Sequence, residues 1–355
     1  MAPSPLRRLR IAQVAPPFEA VPPDAYGGTE RVIDALVGEL VRRGHEVTTF
    51  ASGDSRVAGR LVATVPRALW ADGAFEEGTG HLLATADLAL RRAAEFDLLH
   101  GHLEWLNVLL ARASPVPVVA TFHGRLDRPW GASLLADSPA ALVAISASQA
   151  AQRPEAQWAA VVHNGLDLAG APFRPEPGAW LCFVGRIAPE KGVLDAIDVA
   201  RRTGLRLRIA AKHPRSPAER EYFERVFEPA CARADVEYVG ELGPAERDEL
   251  LAQSLATLMP GRWPEPFGLV AIESLATGTP VLARPAGALP EIVRHGQDGF
   301  LAPGPAGLAS LVAEVAGLDR SAIRRDVLER FSAGRMADGY EAVYAAALER
   351  RARAD

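Results

Sequence analysis

The sequence predicts an α/β protein made of two doubly wound, mostly parallel sheets. A strand, loop, helix and strand unit is written twice, a proline- and glycine-rich stretch separates the two series, and the chain turns helical at its end. Repeated strand and helix alternation of this kind opens Rossmann-like domains.

The first unit begins with LRIAQVA (residues 9–15), an apolar run of strand length, and passes through a loop ending in Tyr26, Gly27 and Gly28. A helix is expected from Thr29 to about Arg43, where apolar residues recur at helical spacing and Gly44 supplies the stop. The strand EVTTFA follows, and then four further apolar runs: FDLLHGH (96–102), VPVVATFHG (116–124), ALVAIS (141–146) and AAVVHNG (159–165). Residues 167–178, DLAGAPFRPEPG, form the expected linker. The unit then repeats as AWLCFVG (179–185), the loop RIAPEKG, a helix from about Val193 closed by Gly204, and the strand LRLRIAA. VEYVGEL, a helix near 245–253, ATLMPG, a short helix in LVAIESLATG, PVLARPA and a turn in DGFLA complete that series. From Ser321 onward the pattern stays helical. The expected domains are therefore 1–166, a linker 167–178, 179–334, and a terminal helix at 335–355.

Composition narrows the function classes. The chain has 355 residues, 23% of them charged, with a formal charge of −5, so it exerts no global attraction on nucleic acid. Cys182 and Cys231 are far apart and match no metal-ligand spacing, so both read as structural thiols in a reducing compartment. The apolar run near the start is cut by Gln13, Pro16 and Pro17, too early for a signal peptide, and no stretch approaches the length of a membrane span. The expectation is a cytoplasmic protein with at most peripheral membrane contact.

Ligand sites of doubly wound sheets lie at the carboxyl ends of the strands, so the chemistry is sought in the loops that follow strands. In WPEPFGLVAIESLATGTP, Glu265 precedes a proline and is a loop residue, whereas Glu273 lies about a turn inside the next helix. Between them the amides of Phe267, Gly268 and Leu269 have no partner inside the helix, and the helix dipole adds about half a positive charge there. An anion belongs at that spot, most naturally a phosphate. In GRIAPEKG, Arg186 and Lys191 stand at or just before a helix N-terminus, where cations are unfavourable for the helix alone. They make sense with a diphosphate between them and the helix. Gly28, at the first helix start, allows close backbone approach to a ligand. No G-x-G-x-x-G is present, which argues against a dinucleotide fingerprint. A lone histidine is more often structural than catalytic, and the place of His123 at a strand's carboxyl end narrows that difference. His100 and His102 have similar placement but less support, and without a third ligand at suitable spacing no zinc site is read. Ser146 and Ser148 lie in no nucleophile elbow.

Taken in order, AYGGTERVIDALVGELVRRGHEVTTFAS, FDLLHGH, ATFHG, HNGLD, FVGRIAPEKG, YVGEL, PEPFGLVAIESLATGTPVLA, LPEIVRHGQDGFL and FSAGRMADGYEAVY run nearly end to end. They resemble the retaining glycosyltransferases of family 4, which have the GT-B fold of two facing Rossmann-like domains, with a C-terminal helix that crosses back to the first. The resemblance implies transfer of a hexosyl group from a nucleotide diphosphate sugar to a hydroxyl acceptor, without a metal or other cofactor. Among bacterial-type relatives a UDP-sugar is the favoured donor. The acceptor is open: a saccharide, a lipid-linked sugar or a small molecule. The resemblance places the donor diphosphate on Arg186, Lys191, Gly28, Gly268 and Leu269, the sugar and ribose on Glu265, Phe267 and Glu273, and His123 beside the reacting sugar, with His123 and Glu265 as the catalytic pair. A non-catalytic nucleotide-sugar-binding protein and a nucleotide-sugar epimerase are the alternatives on the same fold.

Overall fold

The computed structural model describes residues 7–24, 27–70, 78–214, 216–232 and 235–354. Tyr26 of the glycine loop lies outside them, as do Met1 to Leu6 and Asp355 at the ends of the expected domains. The chain divides into two units, Met1–Asp167 with Phe331–Asp355, and Leu168–Arg330.

The first unit holds β1 (Arg10–Val14), β2 (Glu46–Ser52), β3 (Arg60–Val65), β4 (Leu98–Gly101), β5 (Val118–Phe122), β6 (Ala141–Ala144) and β7 (Trp158–Val161). They form one parallel sheet in the order β3-β2-β1-β4-β5-β6-β7. The central strands β1, β4 and β5 are almost wholly buried because helices cover both faces of such a sheet, and they are apolar apart from Arg10, Gln13, His100 and Thr121. The Gly28–Arg42 helix buries Val32, Ile33, Leu36, Val37 and Leu40, one continuous stripe, and Gly44 adopts a φ of 93° just beyond its end. Each large apolar side chain so buried contributes about 1.5–3 kcal/mol.

The second unit holds β8 (Leu181–Val184), β9 (Leu207–Ala210), β10 (Val236–Gly240), β11 (Ala256–Met259), β12 (Val281–Ala283) and β13 (Gly299–Leu301). Its sheet is also parallel, in the order β10-β9-β8-β11-β12-β13. The Val193–Thr203 helix packs Val193, Ala196, Ile197, Val199 and Ala200 inward. Gly204, at φ 70°, closes it by donating to the Ala200 carbonyl at 2.9 Å.

Several elements differ from the sequence reading. DGFLA, expected as a turn, carries the edge strand β13, and RLVATV forms β3 between EVTTFA and FDLLHGH, where no element is expected from the sequence. Both are edge strands; β3 is mostly only partly buried and β13 has three residues, so neither shows a clear apolar period. The helical end breaks in two, into Arg320–Arg330 and Ala333–Ala354. Residues 168–178, expected as a linker, belong to the second unit. Arg320 donates to the Arg174 carbonyl at 2.8 Å, and Arg324 to the carbonyls of Ala169 and Ala171, both at 2.8 Å.

The last helix belongs to the first unit. At its start Leu166 and the Phe331–Ala333 backbone exchange two hydrogen bonds of 3.0 Å. Arg43 then donates to the Gly334 carbonyl and pairs with Asp338, each at 2.8 Å, while His45 meets Glu341 at 2.9 Å. Tyr340 and Tyr344, one turn apart, are fully buried. The described part of the chain contains no helix long and apolar enough to cross a membrane.

Candidate functional site

In the second unit, chemistry gathers around the start of the Leu269–Ala276 helix. Gly268 caps it in a left-handed conformation, φ 105°, which a side chain rarely adopts. Neither the Gly268 nor the Leu269 amide donates a hydrogen bond among the described residues. The buried Phe267 precedes them. Glu265 lies just upstream in the loop, where its backbone is clamped: Ala288 donates to the Glu265 carbonyl at 2.9 Å. Gly287, at φ 61°, passes so close that a Cβ there would sit 2.2 Å from the same carbonyl oxygen. This tight approach explains the glycine in PAGALPE, which sequence reasoning passed over.

The Glu265 carboxylate accepts two bonds from the Lys191 ammonium, at 3.0 and 2.7 Å, and one from the Trp263 indole N–H at 2.8 Å. Lys191 also sits 5.1 Å from the centre of the Trp263 ring, a cation–π contact. Gly192 brings Lys191 here. Its φ is 75°, and a Cβ would come within 2.8 Å of the Pro260 carbonyl. Lys191, Glu265 and the helix start thus form one cluster. Arg186, earlier in the same loop as Lys191, is held 3.0 Å from Glu190 and 3.7 Å from Glu219.

Glu273 points into a different environment. It is only 3% exposed and faces the Arg247 guanidinium at 3.3 Å. Burial by itself lowers the Arg247 pKa; Glu273 and then Asp248 outweigh it, so the net direction is upward and the group stays charged. Arg247 was missed in the sequence because GPAERDELL reads as a solvated charged helix. The signal was available in the three apolar residues, Leu250, Leu251 and Ala252, that bury the same helix.

In the first unit the residues of interest lie at the carboxyl ends of β1, β4 and β5. Gly28 begins the first helix, and its neighbour Gly27 packs so tightly that a Cβ would meet Pro23 at 2.8 Å. His123 follows β5 and is held on both sides. Glu104 Oε1 accepts from the His123 and Gly124 amides at 2.9 and 3.0 Å, and Gln149 donates to the Phe122 and Gly124 carbonyls at 3.0 and 2.8 Å. Glu104 carries a φ of 51°, the sole positive φ of a non-glycine among the described residues. Such strain persists where the surroundings over-determine it. His123 Nε2 lies 2.9 Å from His102 Nδ1, and His102 Nε2 lies 2.8 Å from Gln13 Oε1. Burial pushes the His123 pKa down to about 4, so the ring is neutral near pH 7. His100 and His102, given less weight in the sequence, are thus joined to this loop, and Glu104 was missed there altogether.

Burial pushes the Glu104 carboxyl up to about 7, against two amide bonds that pull it down. A carboxyl raised in the folded state contributes stability that is full below its unfolded value and is lost as pH rises through about 7. Glu104→Gln keeps the carbonyl acceptor and removes the charge. The variant is therefore expected to match the wild type near pH 4.5 and to exceed it by about 2 kcal/mol near pH 8, as read by urea unfolding at the two pH values.

Among the described residues, no group of three or more His, Cys, Asp and Glu could hold a metal ion. Cys182 is buried, with its sulfur 3.2 Å from the Thr257 hydroxyl, and both cysteines are free.

Two family profiles match the chain, one described as glycosyltransferase family 4 over residues 26–169 and one as glycosyl transferases group 1 over residues 170–325. The chain is 32% identical to a glycogen synthase of Mycobacterium tuberculosis, with 86% of each chain covered. It is 27% identical to an α-maltose-1-phosphate synthase of Mycolicibacterium smegmatis, over 82% of this chain and 84% of that one. Among solved structures, AviGT4, a glycosyltransferase involved in avilamycin A biosynthesis, superposes with a TM-score of 0.71 at 25% identity, covering 96% of this chain and 98% of that one.

Proposed function

The chain belongs to glycosyltransferase family 4 and has its GT-B fold, and from that premise we propose that it moves a hexosyl group from a nucleoside diphosphate sugar to a hydroxyl acceptor. The favoured donor is a UDP-sugar, transfer retains the anomeric configuration, and the second unit binds the donor.

One observation supports this reading most strongly. Lys191 and Glu265 are paired beside a helix start whose Gly268 and Leu269 amides bond to nothing else described. A helix N-terminus of this kind favours an anion, and a diphosphate supplies one. As the donor binds, the Lys191 ammonium turns to the diphosphate and Glu265 is released toward the hydroxyls of the sugar. Negative charge grows on the departing diphosphate during transfer, and fixed donors aimed at it lower the barrier. Lys191, Arg186 and the helix amides can provide these donors without a metal. Glu273, held against Arg247, is the residue proposed for the ribose hydroxyls.

A thermal-shift panel of UDP-, GDP- and ADP-sugars tests the donor site, since a ligand that binds only the folded state raises the melting temperature. A shift with one base series, followed by slow donor hydrolysis that EDTA leaves unchanged, is the expected outcome. Binding without turnover across an acceptor panel of glucan, sugar phosphate and lipid-linked sugar would instead mark a non-catalytic binding protein. No shift with any nucleotide sugar would overturn the donor assignment.

A further inference from the structure

We propose that Gln13, His102 and Tyr344 form a one-way hydrogen-bond relay that holds His123 as the neutral tautomer with its proton on Nε2, leaving Nδ1 to accept from a sugar hydroxyl. The inference rests on the transferase reading only for naming what meets Nδ1. The tautomer itself is a property of the first unit alone.

The amide of Gln13 sets the direction. Its Nε2 donates to the Tyr344 hydroxyl at 3.2 Å, and its Oε1 lies 2.8 Å from His102 Nε2. A carbonyl oxygen can only accept, so the proton of that bond is on His102 Nε2. The His102 ring is buried and neutral, since burial and the neighbouring His100 and His123 depress its pKa well below the usual value. Its Nδ1 therefore carries a lone pair. That atom is 2.9 Å from His123 Nε2, which must donate. Because His123 is also neutral, its Nδ1 has no proton, and it makes no hydrogen bond among the described residues.

The other end of the relay continues in the same direction. With the Tyr344 hydroxyl accepting from Gln13, its proton is left for His100 Nδ1 at 2.8 Å, and this puts the His100 proton on Nε2, 2.8 Å from the Thr121 hydroxyl. The Thr121 hydroxyl meets Tyr340 at 3.0 Å. Gln13, His100, His102 and Thr121 are buried, so every bond lost there leaves a desolvated polar group. Gln13 and His100 are neighbours in the β1 and β4 register, and Tyr340 and Tyr344 share one face of the last helix. The C-terminal helix thus reaches the loop after β5 through side chains of the sheet.

The chemical consequence is selective. A lone pair on Nδ1 accepts from a hydroxyl and repels phosphate oxygens, which are also acceptors. His123 is then a sugar contact and not the acid that protonates the leaving diphosphate. Gln13, His102 and Tyr344 are positioning residues.

The test is a long-range proton–nitrogen correlation spectrum of the full chain with nitrogen-15-labelled histidine, recorded without nucleotide sugar at about pH 8, where an ordinary histidine is neutral. The His123 signals are assigned by their loss in His123→Ala. The expected result is a pyridine-like Nδ1 and a pyrrole-like Nε2. Tyr344→Phe removes the group that orients the amide. It is expected to mix the two His123 tautomers and to lower kcat by about tenfold while leaving the donor KM within about twofold. A protonated Nδ1 in the wild type overturns the proposal, as does an unchanged His123 signature in folded Tyr344→Phe; should that variant not fold, the wild-type spectrum decides alone. A ligand panel without any shift would overturn the donor assignment and leave the tautomer result standing.

Discussion

Replacing Glu265 by alanine is expected to lower sugar transfer by about 10²–10³-fold while changing the affinity for the free nucleoside diphosphate by less than about threefold. The reason lies in what the carboxylate touches. Its oxygens are held by Lys191 at 3.0 and 2.7 Å and by the Trp263 indole at 2.8 Å, beside a helix start with two amides open to an anion. Removing the carboxylate frees Lys191 for the diphosphate, so nucleotide binding has no reason to fall. The sugar, in contrast, loses the group proposed to orient it, and a loss felt in kcat rather than in binding marks an interaction made in the transition state. Lys191→Ala and Arg186→Ala are expected to weaken both binding and transfer. Isothermal titration with the free diphosphate, set against single-turnover transfer, separates the two patterns. Normal turnover by Glu265→Ala would sink the assignment.

Much of this arrangement was legible in the sequence because it depends on local order. Gly192, Gly268 and the proline after Glu265 each fix the backbone near the residue they position, so GRIAPEKG and PEPFGL could be read as a loop and a helix start. The pairing of Lys191 with Glu265 could not, since 74 residues separate them and only the sheet order brings their loops together. The same holds for the polar relay of the first unit. His100 and His102, and Thr121 and His123, each alternate at the strand period of two, and Tyr340 and Tyr344 are one helical turn apart. Each pair alone is an ordinary pattern. Only the β1-β4-β5 adjacency and the return of the last helix turn them into one network. The edge strands β3 and β13 escaped for different reasons: most of β3 is only partly buried, so its apolar signal is weak, and β13 has only three residues, too few to show a period.

The largest loss of stability is expected from Arg247→Met, about 3 kcal/mol, because it breaks a buried ion pair from one side. Glu273 is 3% exposed, and the Arg247 side chain, 12% exposed, faces it at 3.3 Å. Deleting the guanidinium leaves a desolvated carboxylate without that cation, whereas deleting both charges removes the cost as well as the gain. The double variant Arg247→Met with Glu273→Gln is therefore expected to return to within about 1 kcal/mol of the wild type in urea unfolding. Nucleotide affinity is not expected to return with it, since Glu273 is the residue proposed for the ribose. Stability and binding then part company across the wild type, Arg247→Met and the double variant. If the double variant is as unstable as Arg247→Met, the guanidinium acts through its contacts with Asp248, at 2.7 and 3.0 Å, and not through Glu273. If stability and nucleotide affinity recover together, the ribose assignment of Glu273 fails while the ion pair stands.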